Sequence, residues 1–129
     1  MPLHSPTTRQ DDAANLSAIL EGTPWALNEA AIRAEAVRIV RETSVPIVLC
    51  DRDVGAGPWQ ETMAALIAAR RGACVILLSI VADQYLWDEV IRLGGFDVLT
   101  RPFQKEQVLA MLMFAYTHWK TSWPKSSVV

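Results

Sequence analysis

Apolar residues recur along this chain with two spacings, and the two alternate. Between residues 11 and 21, Leu16, Ile19 and Leu20 fall on one face at helical spacing, and Gly22-Thr23-Pro24 ends the run. Trp25-Ala26-Leu27 is a weak strand candidate. Residues 30–43 have the pattern of an amphipathic helix, with Ile32, Ala36, Ile39 and Val40 inward and Arg33, Glu35, Arg38, Arg41 and Glu42 outward. Residues 46–50 form a short unbroken apolar run, the mark of a strand covered on both faces. A glycine-rich loop over 51–57 leads to Pro58-Trp59, and proline suits a first helical turn. That helix turns Met63, Leu66 and Ile67 inward and ends at Arg70-Arg71-Gly72, with cations and a glycine where a C-terminus favours them. The buried-strand pattern returns at 74–78. A helix over 83–93 capped by Gly94-Gly95, a shorter strand at 96–99 and a long helix over 104–119 follow. The first strand has only residues 1–6 to draw on, and Pro2 and Pro6 leave it little room.

Strands alternating with helices imply right-handed crossovers and a parallel sheet with helices on both faces. The 129 residues fit one domain, spanning 1–119, with a loose tail at 120–129 and neither repeat nor linker. A chain of this length buries roughly two-thirds of the surface it exposes when unfolded. Half of it is hydrophobic (51%) and a fifth charged, which excludes a disordered chain. Twelve basic against fourteen acidic residues give a net charge of −2, so no direct nucleic-acid partner is expected. Cys50 and Cys74 lie inside apolar runs without metal spacing, as small buried hydrophobes in a reducing compartment do. The first six residues show no basic and apolar leader, and the longest uncharged run, 72–82, falls short of the ~20 residues of a membrane helix. The expectation is a cytoplasmic protein without a membrane segment.

Ligands of open α/β sheets bind beyond the carboxyl ends of the strands. Asp51 and Asp53 follow the third strand, Ser79 the fourth, and Thr100-Arg101-Pro102-Phe103 the fifth. Taken singly, each residue reads as a turn, cap or surface residue. Together they bring a carboxylate nucleophile, a hydroxyl and a cation to one rim, a set suited to receiving a phosphoryl group.

The segments Val45-Pro46-Ile47-Val48-Leu49-Cys50-Asp51, Val75-Ile76-Leu77-Leu78-Ser79 and Gly94-Gly95-Phe96-Asp97-Val98-Leu99-Thr100-Arg101-Pro102-Phe103 resemble the receiver domain of bacterial response regulators. The resemblance covers roughly residues 3–119. It implies a flavodoxin-like, doubly wound (βα)5 sandwich with a five-stranded parallel sheet of order 2-1-3-4-5. It implies that Asp51 is the phosphoacceptor, fed by a histidine kinase or phosphotransfer protein, with Ser79 as the switch hydroxyl and Arg101 as the phosphate-neutralising cation. Arg52, Asp53 and Ile80 would border the phosphate. Mg²⁺ would be held by Asp51 and Asp53. The Arg101-Pro102 bond would be cis, as the family's equivalent bond is.

Four positions depart from the family pattern. Counting back from Trp25 puts Thr7 and Thr8, or with a small insertion Ser5 and Pro6, where receivers carry the acidic pair that holds Mg²⁺. Arg101 stands for a lysine, and a planar fork is not a compact ammonium. The loop Val54-Gly55-Ala56-Gly57-Pro58 lacks the family's proline and glycine placement. Val98 replaces the aromatic switch residue. The alternative is therefore a pseudo-receiver, a protein-interaction module independent of phosphate. Asp51-Arg52-Asp53-Val54 also resembles the first motif of haloacid-dehalogenase-type phosphatases. Against that enzyme reading stand the motif's place after the third strand, Gly55 where a threonine is expected, and no acidic pair downstream. A non-enzymatic signalling domain is expected. Surplus apolar residues on the last two helices, with Tyr85, Trp87, Val98 and Met113 as interface candidates, point to a homodimer or a downstream protein partner on that face.

Overall fold

The computed structural model describes residues 2–5, 10–30, 32–52 and 58–122. Among these, five strands and five helices alternate: β1 (Pro2–Ser5), α1 (Gln10–Leu20), β2 (Ala26–Glu29), α2 (Arg33–Glu42), β3 (Ile47–Asp51), α3 (Trp59–Ala69), β4 (Cys74–Ser79), α4 (Gln84–Leu93), β5 (Asp97–Thr100) and α5 (Lys105–Ser122). All strand pairs are parallel, in the order β2-β1-β3-β4-β5, which is the doubly wound flavodoxin-like arrangement. β1, the least legible strand, lies near the middle of the sheet, with Leu3 in register with both Leu27 and Ile47. Pro2 is tolerated there because it is the strand's first residue.

The period-2 alternation of β3, β4 and β5 divides the core between two helical layers. Ile47, Leu49, Ile76, Leu78 and Leu99 pack with Leu16, Ile19 and Leu20 of α1 and Val108, Leu112 and Ala115 of α5. Val48, Cys50, Val75, Leu77 and Val98 pack instead with α2, α3 and α4, through Ala36, Val40, Met63, Leu66, Leu86 and Val90. Both faces are covered, so β3 and β4 are buried along their whole length. That is why their sequences read as unbroken apolar runs. Trp25, Tyr116 and Trp119 close the sheet on the β2 side, with ring centroids 5.7 and 5.8 Å apart.

Several boundaries differ from the sequence pattern. α2 begins at Arg33 rather than residue 30, so Ile32 is its N-cap residue and is exposed, not inward. Arg33, expected outward, crosses to α3, where its Nε donates to Thr62 Oγ1 at 3.0 Å and its Nη2 lies 4.0 Å from Glu61 Oε2. β5 begins at Asp97, one residue later than expected. α5 continues to Ser122, past the expected start of the tail at 120; residues 123–129 lie outside the described residues.

Both cysteines are buried free thiols. Burial, with the Asp51 charge beside it, pushes the Cys50 thiol from an ordinary 9.0 to about 12, while the Arg33 cation acts weakly the other way. Burial alone raises Cys74 to about 11. Thiolate is the nucleophile, so neither thiol will react with iodoacetamide at pH 8 until the chain is unfolded. Rapid native labelling, read by intact mass, would contradict this. Because the folded values exceed the unfolded one, the thiols' contribution to stability is complete below pH 9 and is lost as the pH climbs toward 11 and 12.

Candidate functional site

Three adjacent strands end at one rim. In the ladder Asp51 is in register with Leu78, and Ser79 with Thr100. The hydrogen bonds Arg52 N–H to Leu78 O (3.0 Å) and Arg101 N–H to Ser79 O (2.9 Å) carry that register past the last strand residues. Asp51, Ser79 and Arg101 are therefore placed by backbone geometry at the ends of three hydrogen-bonded strands. Asp51 and Ser79 are the last residues of β3 and β4 and are buried; Arg101 follows β5 directly. The Arg101-Pro102 peptide bond is cis.

Arg101 Nη2 donates to Asp51 Oδ2 in a close ion pair. The Asp51 side chain is 0% exposed and that of Arg101 11%, so the pair lies out of bulk water. Phe103, itself buried, backs the cation, with the guanidinium carbon 5.5 Å from its ring centroid. Arg52 brings a second guanidinium to the rim, its Nη1 lying 3.5 Å from Ser79 Oγ. Its position next to Asp51 is the signal that marked it in the sequence, but nothing in the spacing indicated that it would lean toward Ser79.

Of the residues singled out in the sequence, Asp51, Arg52, Ser79 and Arg101 come together. Asp53, Thr7 and Thr8 lie outside the described residues. Ile80 follows Ser79 with its side chain exposed, as does Val81. The sequence points to Ile80 as a rim residue through the resemblance, but not to Val81, although strand β4 must end just before both. Tyr85, Trp87 and Met113 are exposed on α4 and α5. Trp87 is fastened to β5, its Nε1–H donating to Asp97 Oδ1 at 3.2 Å. Val98 is different: it is buried in the cluster that includes Leu86 and Val90 and presents little surface to a partner. Phe114, exposed on α5, takes its place on that face, and a groove of about 560 Å³ runs between β5 and α5, bordered by Val98, Leu99, Met111 and Phe114.

Magnesium takes oxygen ligands, usually including one or two carboxylates. Among the described residues no three His, Cys, Asp or Glu side chains converge on a common point. The Asp51 carboxylate is already engaged by Arg101, and two guanidinium groups against one carboxylate leave the described rim with a positive charge. A divalent ion held about 5 Å from a guanidinium would meet a repulsion of roughly 7 kcal/mol at an effective dielectric of about 20. The donor set described here does not fit such an ion.

No protein-family model matches the sequence, and no curated protein is similar to it in sequence. In three dimensions the chain is similar to solved receiver domains. The signal receiver domain of an HD domain-containing protein from Pseudomonas fluorescens Pf-5 matches with a TM-score of 0.83 at 18% identity, over 94% of this chain and 90% of that one. The beryllofluoride-activated NtrC4 receiver domain, a dimer in solution, matches with a TM-score of 0.82 at 19% identity, over 92% and 98%. The receiver domain of the sensor histidine kinase PA1611 from Pseudomonas aeruginosa PAO1, with a magnesium ion coordinated in its active-site cleft, matches with a TM-score of 0.78 at 17% identity, over 90% and 97%. The fold of this chain is that of a response-regulator receiver domain. Among the described residues no helix is long and apolar enough to cross a membrane.

Proposed function

We propose that this chain is a receiver of phosphorelay signalling, a cytoplasmic switch rather than a turnover enzyme. Asp51 accepts a phosphoryl group from a histidine kinase or phosphotransfer protein. Arg101 neutralises the added charge, and Ser79 bonds a phosphate oxygen. The observation that carries this reading is the meeting of a buried carboxylate, a buried hydroxyl and a guanidinium at the ends of three adjacent strands. Such a set does what phosphoryl transfer asks of a protein, which is positioning and charge stabilisation. The output surface is the face of α4, β5 and α5, where Tyr85, Trp87, Met113 and Phe114 are exposed around the groove, and it takes a downstream protein or a second copy.

Incubation of the full chain with acetyl phosphate will add one phosphoryl group, detected by intact mass, and the Asp51→Asn variant will add none. A folded wild-type chain that stays unmodified under every condition, a phosphorylated phosphotransfer protein included, would overturn the reading. A second reading, the phosphate-independent interaction module, draws on one observation. Val98 at the family's aromatic switch position is locked into the core and cannot report a change at Ser79 by swinging between surface and interior.

A further inference from the structure

The charge balance around Asp51 differs from what a metal-dependent site would require. We propose that the Arg101 guanidinium is the resident counter-cation of Asp51 and takes the place of a divalent metal, so that Asp51 accepts a phosphoryl group without Mg²⁺. This rests on the phosphoacceptor reading above and goes beyond it.

Three observations support the assignment. The Asp51–Arg101 pair is closed and withdrawn from water, so its electrostatics are those of a low-dielectric site, where a fixed cation counts for most. The buried Phe103 ring backs the guanidinium, and the backbone N–H of Arg101, bonded to Ser79 O, fixes the main chain from which Nη2 reaches the carboxylate. Arg52 adds a second guanidinium against Ser79, on the side where an added phosphate would seek donors. Among the described residues the site holds two such cations and one carboxylate, which leaves little with which to attract a divalent ion, yet it is already supplied with positive charge for three phosphoryl oxygens.

In the step itself an Asp51 carboxylate oxygen attacks the phosphorus of acetyl phosphate. The bond between phosphorus and the acyl oxygen breaks, and acetate leaves with the electron pair. No proton need move. The planar Arg101 fork can follow the charge from the carboxylate to the new phosphoryl oxygens, since it bonds carboxylate and phosphate in the same two-pronged way.

The test uses the full chain with acetyl phosphate, either in EDTA or with MgCl2, followed by intact mass, and a calorimetric titration with MgCl2 alone. The expected result is adduct formation at rates within about threefold of one another in the two buffers, with no heat of Mg²⁺ binding. Arg101→Gln will slow the EDTA reaction by about 10²-fold, the usual effect of removing one charge-stabilising donor. Arg101→Lys keeps a cation but removes the fork; it will slow the EDTA reaction and regain rate when Mg²⁺ is added, and circular dichroism will show whether each variant is folded. Adduct formation only with Mg²⁺, or a clear Mg²⁺ heat on the wild type, would overturn this inference and leave the phosphoacceptor reading standing. No adduct in either buffer would overturn this inference, and no adduct from a phosphorylated phosphotransfer protein either would overturn both.

Discussion

Replacing Arg101 with glutamine is expected to destabilise the fold by about 3–5 kcal/mol, the range seen when one partner of a buried ion pair is removed. The cause is the group left behind. Asp51 has no exposed side-chain surface, so without its guanidinium it must hold a charge where water cannot reach it, or take up a proton. Asp51→Asn should cost less, because the amide oxygen still accepts from Arg101 and the guanidinium left without its counter-charge keeps some contact with water, whereas the Asp51 carboxylate has none. The double variant should recover most of the loss. Urea denaturation midpoints of the four proteins give the coupling directly. Additive effects, or a loss below about 1 kcal/mol for Arg101→Gln, would mean that the pair is solvated in solution, since exposed ion pairs are worth that little.

The same pair explains why the site was legible in the sequence and its detailed state was not. The strand ends could be located because β3 and β4 are covered on both faces and so read as apolar runs that stop abruptly at Asp51 and Ser79. Once those ends were fixed, parallel pairing determined which side chains would meet. Whether Arg101 would close on Asp51 or turn to solvent depends on Phe103 behind it and on the depth of the carboxylate, and neither is encoded in a local pattern. Ile32 shows the same limit on a helix. Its spacing from Ala36 suits an inward face, but α2 starts one residue later, so Ile32 is an extended cap residue outside the helical period. Arg33 has an outward position by periodicity and still reaches α3, since a long side chain near a helix end is free to follow a buried hydroxyl such as Thr62. Val98 matches an aromatic surface position only through the family resemblance; as a small apolar residue on a period-2 strand it belongs with Val75 and Leu77 in the core.

The turn after α4 bears the second large prediction, at Gly95. A methyl group there would stand 2.6 Å from Val90 Cγ1, 3.0 Å from Val90 O and 3.1 Å from Met63 Sδ. The Val90 carbonyl cannot retreat, because it accepts the Gly95 N–H at 2.8 Å and closes the helix. Val90 is itself fully buried between α4 and the sheet. Gly95→Ala should therefore cost about 2–3 kcal/mol by overpacking. Its neighbour behaves differently. Gly94 has a φ of +97° and only ordinary contacts, with Ile67, so Gly94→Ala pays for backbone strain alone, about 1–2 kcal/mol, and Gly94→Asn for less. The two mechanisms separate in a double variant. Val90→Ala removes the nearest clashing atom, so combined with Gly95→Ala it should cost clearly less than the sum of the two, while combined with Gly94→Ala it should simply add. Thermal or urea unfolding of the series decides the matter: equal additivity at both glycines would show that the chain around Gly95 yields, and that this corner does not hold α4 against the sheet as tightly as the packing indicates.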